Sequence, residues 1–304
     1  MTRFDIKILG CGSATPTTNH NPTSQLVNVN EKLFMIDCGE GTQLQMRKYR
    51  SGFGKLHSIF ISHLHGDHVF GLPGLISTLN LLGRKGELLI YAHEEAQLLL
   101  RPTLNYFNRR MGFEVKHVVL EKNKAGLIFE NNSMQVFAFP LKHRIATSGF
   151  IFEEKPGMRH IKKEMINFYG IRGIEIKHIK LGADHTLEDG TIIKNEQLTY
   201  AAAPPRRYAY CSDTAFSPEI IPYIQGVDVL YHEATFAETE AVRAHETYHS
   251  TARQAAEIAK AANVKKLVIG HYSSRYKDLN NIFSEAKAVF ENTELAFEGM
   301  EISL

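Results

Sequence analysis

Short runs of apolar, β-branched and aromatic residues recur along the chain, and each ends in glycine, asparagine, aspartate or another polar residue. This pattern predicts β-strands separated by turns. Two of the runs, Ser24–Asn30 and Lys32–Asp37, flank a polar turn as the strands of a hairpin would. The other predicted strands are Phe4–Leu9, Ser58–Ser62, Leu88–Ala92, Glu114–Leu120, Leu127–Glu130, Met134–Phe139, Tyr208–Ser212, Val227–His232 and Lys266–Gly270.

Three segments between the strands have the apolar spacing of helices. They are Leu72–Leu82, Glu94–Phe107 and the alanine-rich Thr251–Ala262, which follows Ser250 as a candidate N-cap. The strands come in consecutive groups and the helices lie between the groups, which differs from a strict β-α-β alternation. We therefore predict the α/β class, as an αββα sandwich of two mixed sheets with helices outside.

The stretch from Glu153 to about Ala203 has weak strand patterning, many charged residues and the closing sequence 201–205, AAAPP. Between Lys155 and Lys180, seven Lys or Arg residues stand against two acidic residues, a local net charge of +5. We predict one domain over residues 1–304, from which residues 153–203 project as an insertion.

The composition is that of a globular protein, with 304 residues, 43% apolar and 22% charged. A chain of this size buries a large core without disulfides or structural metals, so a metal site is free to be catalytic. The formal net charge is only +2. A polyanionic substrate would therefore have to bind at a locally basic surface.

The three cysteines are odd in number and have no C-x-x-C spacing, which argues against a disulfide framework or a cysteine zinc site. We expect small buried side chains in a reducing compartment. The chain enters its first strand without a secretory signal pattern, and no apolar run is long enough to span a bilayer. These features predict a cytoplasmic protein that makes no membrane contact.

Four candidate metal ligands fall within six residues, directly after the apolar strand Ser58–Ser62. Imidazole and carboxylate groups suit zinc and similar divalent ions, and Gly66 between them lets the backbone turn tightly. The sequence therefore predicts a metal site at this strand end. The four ligands are His63, His65, Asp67 and His68.

This hexapeptide resembles the H-x-H-x-D-H signature of the metallo-β-lactamase superfamily, which includes lactamases, thioesterases, phosphodiesterases and nucleases. The resemblance implies three further ligands at strand ends, and His143, Asp213 and His271 each follow a predicted strand. Taken singly, each of these three side chains also has a purely structural explanation, as a solvated residue, a helix cap or a core histidine.

The resemblance also implies how the ligands divide between two ions. One ion would take His63, His65 and His143, the other Asp67, His68 and His271, and Asp213 would serve both. We expect two Zn²⁺ per chain, with other divalent ions such as Mn²⁺ as alternatives. Paired cations serve phosphodiester cleavage as well as acyl hydrolysis, so the metal site does not choose the substrate.

Within the superfamily, four segments resemble the ribonuclease Z family, in that family's order and over nearly the whole chain. The histidine loop continues into G-L-P-G-L at Gly71–Leu75. The other segments are D-C-G-E-G-T-Q at Asp37–Gln43, H-E-A-T at His232–Thr235 and H-S-T at His249–Thr251. The resemblance implies an endoribonuclease that removes the 3′ trailer from precursor tRNA, leaving a 3′-hydroxyl on the tRNA and a 5′-phosphate on the trailer.

Three residues are predicted to be catalytic. Asp67 has an oxygen that can take the proton of the attacking water as general base. His249 would protonate the leaving 3′-oxygen or steady the scissile phosphate. Glu233 would orient His249, because a carboxylate partner sets the tautomer of an imidazole.

The insertion falls where the family carries a flexible arm that grips the tRNA elbow. Its positive charge suits phosphate contacts, so Lys162, Lys163 and Arg172 are the predicted substrate-binding residues. The resemblance further implies a homodimer, in which the arm of one subunit serves the site of the other.

Two alternatives stay open at this point. The first is a related metal-dependent phosphodiesterase or an arylsulfatase-like hydrolase of small esters, which has no need of the arm. The second is a non-catalytic RNA-binding or metal-binding protein, which has no need of Asp67, Glu233 and His249 beside the other ligands.

Overall fold

Two mixed seven-stranded sheets form the body of the protein, as predicted from the sequence. The computed structural model describes residues 3–107 and 111–304. The first sheet has the order β18-β1-β2-β3-β4-β5-β6. Its strands are β1 (Phe4–Gly10), β2 (Ser24–Val29), β3 (Lys32–Ile36), β4 (Leu56–Phe60), β5 (Leu88–His93), β6 (Val115–Leu120) and β18 (Glu301–Ser303).

The second sheet has the order β17-β16-β15-β14-β9-β8-β7. Strands β14 to β17 pair in parallel, as do β3 to β6 of the first sheet. The strands are β7 (Gly126–Glu130), β8 (Met134–Leu141), β9 (Thr147–Glu154), β14 (Arg207–Cys211), β15 (Val229–Glu233), β16 (Lys266–Gly270) and β17 (Thr293–Leu295).

The main core lies between the two sheets, where Phe34 and Phe60 of the first meet Phe150 and Phe152 of the second. A separate apolar cluster packs helices against the other face of the first sheet. The second sheet carries α10 and α11 in the same way. The helices of this body are α1 (Thr42–Lys48), α2 (Gly66–Val69), α3 (Leu72–Leu81), α4 (Gln97–Phe107), α8 (Ile221–Ile224), α9 (Ala241–Thr247), α10 (Ala252–Ala261) and α11 (Asn280–Val289).

Helix α10 begins one residue later than the sequence pattern suggested. The cap is Thr251, whose hydroxyl accepts from the backbone of Gln254, while the Gln254 side chain accepts from the Thr251 backbone. Ser250, the candidate cap, donates its hydroxyl to the carbonyl of Thr214 instead. Because the Ser250 hydroxyl is bonded to Thr214, the next residue, Thr251, caps the helix.

Contacts divide the chain into two compact units, one of Met1–Phe152 with Arg207–Leu304 and one of Glu153–Arg206. The smaller unit has its own apolar cluster, formed by Ile171, Ile179, Ile193 and Leu198. Its elements are β10 (His160–Ile161), α5 (Lys163–Phe168), α6 (Gly173–Lys180), β11 (His185–Thr186), β12 (Ile192–Ile193), α7 (Asn195–Leu198) and β13 (Thr199–Tyr200).

No helix in residues 3–107 and 111–304 has the length and apolar character needed to cross a membrane.

Candidate metal centre

The histidine-rich loop leaves strand β4 and turns at once into the short helix α2. His63 and His68 are buried. Gly66 packs so closely on Phe70 that an added Cβ would lie 2.3 Å from its ring. Any larger residue at position 66 would have to displace the ring. This close turn brings the loop's imidazoles and the Asp67 carboxylate to one end of the two sheets.

A first group of ligand atoms comes from three different strand ends. His63, His65, His143 and Asp213 each offer one atom, all within 4.8 Å of one another. Nδ1 of His65 lies 2.9 Å from Nε2 of His63 and 3.2 Å from Nε2 of His143. Three imidazoles and one carboxylate at this spacing have the composition of a zinc or related divalent site.

A second group lies next to the first and consists of Asp67, His68 and His271, again within 4.8 Å. Oδ2 of Asp67 is 3.5 Å from Nε2 of His68 and 3.4 Å from Nε2 of His271. Oδ2 also accepts a hydrogen bond from the backbone of Ala14, at 2.8 Å. Within the described residues, Oδ1 of Asp67 has no hydrogen-bond partner and is free for another contact.

Asp213, buried at the end of β14, faces both groups with different oxygens. Its Oδ2 is 3.5 Å from Nε2 of His63 and 3.8 Å from Nε2 of His143. Its Oδ1 is 3.4 Å from Nε2 of His68 and 3.1 Å from Nε2 of His271. One carboxylate therefore spans the two groups.

Outer contacts fix which ring nitrogen points inward. Nδ1 of His68 donates to Asp37 and Nδ1 of His143 donates to the carbonyl of Tyr248, each at 2.9 Å. Each Nδ1 therefore carries a hydrogen, and Nε2 is the atom of each ring that faces the groups of candidate ligands and would bind an ion. His65 is turned the other way and presents Nδ1 to the first group.

Asp37 directly follows β3 and is fully buried. It links His68 to Ser62, which follows β4. Its carboxylate accepts from the backbone of Ser62 at 2.7 Å, from the Ser62 hydroxyl at 2.9 Å and from the hydroxyl of Tyr210 at 2.8 Å. Together with the hydrogen bond from His68, these contacts hold both carboxylate oxygens of Asp37 in fixed directions. The network leaves His68 little freedom to rotate.

The backbone is strained at several positions around the same site. His271 is a candidate ligand with a positive φ, and three other non-glycine residues with positive φ each contact a candidate ligand. The φ angles are 59° for Ala14, 55° for Asp37, 58° for Tyr248 and 61° for His271. Such conformations are costly for L-residues and persist where the surroundings impose them. Tyr248 shows the reason, since its left-handed conformation goes with a carbonyl bound to His143.

The donor atoms fit a cation. Among residues 3–107 and 111–304, three buried atoms that face the space between the groups lack a hydrogen-bond partner: Nε2 of His68, Nε2 of His271 and Oδ1 of Asp213. Burial alone would raise the pKa of Asp213. The histidines around it outweigh burial and hold that pKa well below its usual value. Buried ionised carboxylates and unpartnered lone pairs need a positive partner, which divalent ions would supply.

Glu233, at the end of β15, is fully buried and connects the loops around the centre. Its Oε1 accepts from Nδ1 of His249 at 2.9 Å and from the backbones of Thr214 and Ser250 at 3.1 and 3.0 Å. Its Oε2 accepts from the backbone and hydroxyl of Thr235 at 2.9 and 2.7 Å. The carboxylate contacts protein groups on every side.

His249 lies between this carboxylate and the candidate metal ligands. Its ring stacks on that of His271 with 5.6 Å between centroids, and it lines the same cleft as His65, Asp67 and Asp213. Burial lowers the pKa of His249, but the Glu233 carboxylate outweighs burial and raises it to about 9. Neighbouring divalent cations would lower this pKa again, because they repel a protonated imidazole.

The cleft above the ligands has a volume of about 440 Å³. Its wall includes Ser13 and Pro16 of the first loop, Phe70 and Arg144. Phe70 is 64% exposed, so an aromatic face and a guanidinium group border the ligands. Bases stack on aromatic faces and phosphates pair with arginine, so this lining suits a nucleic acid strand.

Comparisons with known proteins bear on the family. Two family models match the chain, one described as anti-Pycsar protein Apyc1 over residues 4–156 and one as beta-lactamase superfamily domain over residues 166–272. Over 304 residues, the chain is 55% identical to the ribonuclease Z of Parabacteroides distasonis and 52% identical to that of Porphyromonas gingivalis, with 100% of each chain covered. The chain belongs to the ribonuclease Z family.

Comparison with solved structures supports the same family assignment. The short form of human tRNase Z has a TM-score of 0.70 and 25% identity, with 98% of both chains covered. The metallo-beta-lactamase fold protein YhfI from Bacillus subtilis has a TM-score of 0.71 over 99% of this chain and 100% of its own, but at 17% identity it supports the fold alone. The predicted metallo-β-lactamase fold is confirmed.

Membership of the ribonuclease Z family makes the chain a hydrolase, a metal-dependent endoribonuclease of tRNA processing. The structure brings the seven sequence-predicted ligands together. Five of them line one cleft with His249, while His63 and His68 are fully buried, and Glu233 is buried in contact with His249. The three basic residues Lys162, Lys163 and Arg172 belong to the smaller unit.

Several residues of the centre escaped the sequence analysis. Tyr248 contributes through a backbone carbonyl, which leaves no mark in the side-chain sequence. Asp37 and Thr235 were part of motifs used only to recognise the ribonuclease Z family. Because both are polar residues at the end of a buried strand, that position was the signal that could have marked them as contacts of the ligands.

Proposed function

We propose that this chain uses two zinc ions to cut precursor tRNA at the 3′ trailer, leaving a 3′-hydroxyl on the tRNA and a 5′-phosphate on the trailer. The observation that carries the proposal is the position of the Asp213 carboxylate. Its Oδ2 faces His63 of the first group, and its Oδ1 faces His68 and His271 of the second. Family membership supplies the class of substrate.

Five imidazoles and two carboxylates, without a thiolate, would hold the ions. His63, His65 and His143 would bind the first ion, Asp67, His68 and His271 the second, and Asp213 both. This donor set suits Zn²⁺ and also admits Mn²⁺. When bound, the ions would polarise the scissile phosphate and lower the pKa of the attacking water.

Asp67 is the base in this proposal. Its Oδ2 is held by the Ala14 backbone and faces His68 and His271, so Oδ1 remains to accept a proton from the attacking water. The phosphorus–water oxygen bond forms while the bond to the 3′-oxygen breaks. The phosphate therefore stays on the trailer.

His249 is the acid. Glu233 holds its Nδ1, which leaves Nε2 to give a proton to the departing 3′-oxygen of the tRNA. Glu233 is fully buried and contacts His249, Thr214, Ser250 and Thr235. We therefore assign it a positioning role rather than contact with the substrate.

The experiment that tests the function is incubation with a 3′-extended precursor tRNA, with and without a chelator, followed by mapping of both product ends. Chelator-sensitive cleavage at the trailer with a 3′-hydroxyl on the tRNA supports the proposal. Cleavage of small diesters without cleavage of the precursor would replace it with a small-ester phosphodiesterase.

Metal-saturated protein should contain about two divalent ions per chain, because seven ligands divide between two groups. Elemental analysis of protein freed of loose metal measures this. The matched control is His20→Ala. His20, Cys11 and Glu298 form another cluster of donor atoms, but His20 already lies 3.2 Å from Glu298 as a hydrogen-bonded pair. Loss of His20 should leave the metal content unchanged, and a content of one ion in wild type would contradict the two-metal site.

The smaller unit is the proposed arm, and its three basic residues differ in their surroundings. Lys163 and Arg172 are exposed, whereas Lys162 donates to the carbonyl of Gln197 at 2.8 Å and lies over the ring of Tyr200. Exposed cations are free to contact phosphates. We therefore expect Lys163 and Arg172 to contribute more to tRNA binding than Lys162.

Neutralising Lys162, Lys163 and Arg172 together should raise the dissociation constant for precursor tRNA and flatten its salt dependence. Each lost phosphate contact removes about 0.7–0.9 from the slope of log K against log salt. The Lys163→Ala/Arg172→Ala pair should show most of the effect. Turnover of bis(p-nitrophenyl) phosphate should stay nearly unchanged.

The control for the arm removes equal charge elsewhere, as Lys85→Ala/Lys277→Ala, two exposed residues of the larger unit. Binding titrations at several salt concentrations compare the two double variants. An unchanged affinity and slope in the arm variants would remove the arm from tRNA binding.

We also propose that the protein is a cytoplasmic homodimer in which each arm serves the partner's site. The support is family resemblance and three buried, free cysteines, which suit a reducing compartment. Light scattering that gives the mass of one chain under assay conditions would contradict the dimer.

A further inference from the structure

Thr235 lies two residues beyond β15, between Glu233 and the metal ligand candidate His271. Its side chain is buried. The hydroxyl oxygen is 2.7 Å from Oε2 of Glu233 and 2.9 Å from Nδ1 of His271. One hydroxyl thus contacts a carboxylate on one side and an imidazole on the other.

The direction of these two hydrogen bonds follows from counting protons. Both oxygens of Glu233 accept from backbone N–H groups, Oε1 from Thr214 and Ser250 and Oε2 from Thr235 itself, so the carboxylate acts as an acceptor. The hydroxyl of Thr235 must therefore donate its one proton to Oε2. Its contact with His271 then requires Nδ1 of the imidazole to be the donor.

A proton on Nδ1 leaves the lone pair of His271 on Nε2. That atom is 3.1 Å from Oδ1 of Asp213 and 3.4 Å from Oδ2 of Asp67, and it is buried without a hydrogen-bond partner in the part of the chain that the structure describes. The tautomer set by Thr235 therefore presents its lone pair to the second group of ligands.

We propose that Thr235 is a positioning residue that fixes the tautomer and ring direction of His271 for a divalent cation. The inference rests on the proposed metal site and adds a residue to it. Glu233 takes the hydroxyl proton, so the chain Glu233–Thr235–His271 aligns the ligand through a hydroxyl rather than through a direct carboxylate contact.

Nothing else in the described ranges holds Nδ1 of His271 by a hydrogen bond. The ring stacks on His249 and lies 5.4 Å from the ring of His68, contacts that permit a flipped ring. Thr235 also lies 3.3 Å from Nδ1 of His249, but that nitrogen has the closer partner in Glu233, at 2.9 Å. The hydroxyl is thus available to His271.

The test replaces Thr235 with valine, which keeps the shape and the backbone N–H but lacks the hydroxyl, and with serine, which keeps the hydroxyl. The control is Thr293→Val, which removes another buried threonine hydroxyl, one that donates to the carbonyl of Phe290. Should Thr235→Val fail to fold, Thr235→Ala carries the same test without added bulk.

The first readout is which ring nitrogen of His271 carries the hydrogen in the metal-loaded protein, from the nitrogen chemical shifts of ¹⁵N-labelled histidine. Wild type, Thr235→Ser and Thr293→Val should show a hydrogen on Nδ1. Thr235→Val should show Nε2–H or a mixture. An unchanged tautomer in Thr235→Val overturns the inference.

The second readout is metal affinity by competition with a chelator, which uses no tRNA. Thr235→Val should weaken one of the two bound ions by about 10–100-fold, while serine restores it. Wild-type affinity at both sites in Thr235→Val also overturns the inference. A wild-type protein that binds metal but leaves precursor tRNA uncut would instead contradict the proposed function.

Discussion

Replacing Asp67 with alanine should abolish hydrolysis of both precursor tRNA and bis(p-nitrophenyl) phosphate. The change removes the carboxylate that faces His68 and His271, and with it the proposed base. Loss of a general base alone slows an enzyme by about 10²–10⁴, and loss of a ligand adds to this. Steady-state turnover on both substrates measures the effect.

The fold should survive this substitution, because Asp67 is not part of the large core between the sheets. Asp67→Asn is the matched variant, because an amide oxygen can still accept from the Ala14 backbone but carries no charge and is a poor base. Both variants should keep the wild-type circular dichroism and be inactive. Near wild-type turnover in Asp67→Ala would contradict the role given to this carboxylate.

Strands buried on both faces were the easiest part of the fold to predict. In β16, Leu267, Val268 and Ile269 are all buried, and such continuous apolar runs are typical of central strands. Strand β9, Thr147–Glu154, was missed although its middle is as apolar. It adjoins the charged insertion, so its polar end was assigned to that segment. Helix α11 was also missed, because few of its residues are buried.

The grouping of the candidate ligands could be predicted because imidazole and carboxylate groups recur at strand ends, where neighbouring strands bring loops together. Their alignment could not. His143 is held by a carbonyl 105 residues away, and His271 by the hydroxyl of Thr235, 36 residues away. These contacts depend on loop geometry, including left-handed residues, that no local pattern encodes.

His249→Ala should slow cleavage of precursor tRNA by about 10²–10⁴, the usual contribution of a general acid. The reason is the leaving group: a ribose 3′-oxygen departs slowly unless it is protonated. An aryl oxygen departs readily without a proton, so turnover of bis(p-nitrophenyl) phosphate should fall much less. The measurement is the ratio of the two losses in one preparation of the variant.

His249→Gln is the matched variant for this prediction. Its amide can still donate to the Glu233 carboxylate, which otherwise loses the 2.9 Å partner at Oε1. The amide cannot act as an acid, so the glutamine variant should lose precursor cleavage as the alanine variant does. If His249 only supports Glu233, glutamine should restore activity on both substrates. Equal losses on the two substrates in His249→Ala, with rescue by glutamine, would assign His249 to the support of the loops rather than to proton transfer.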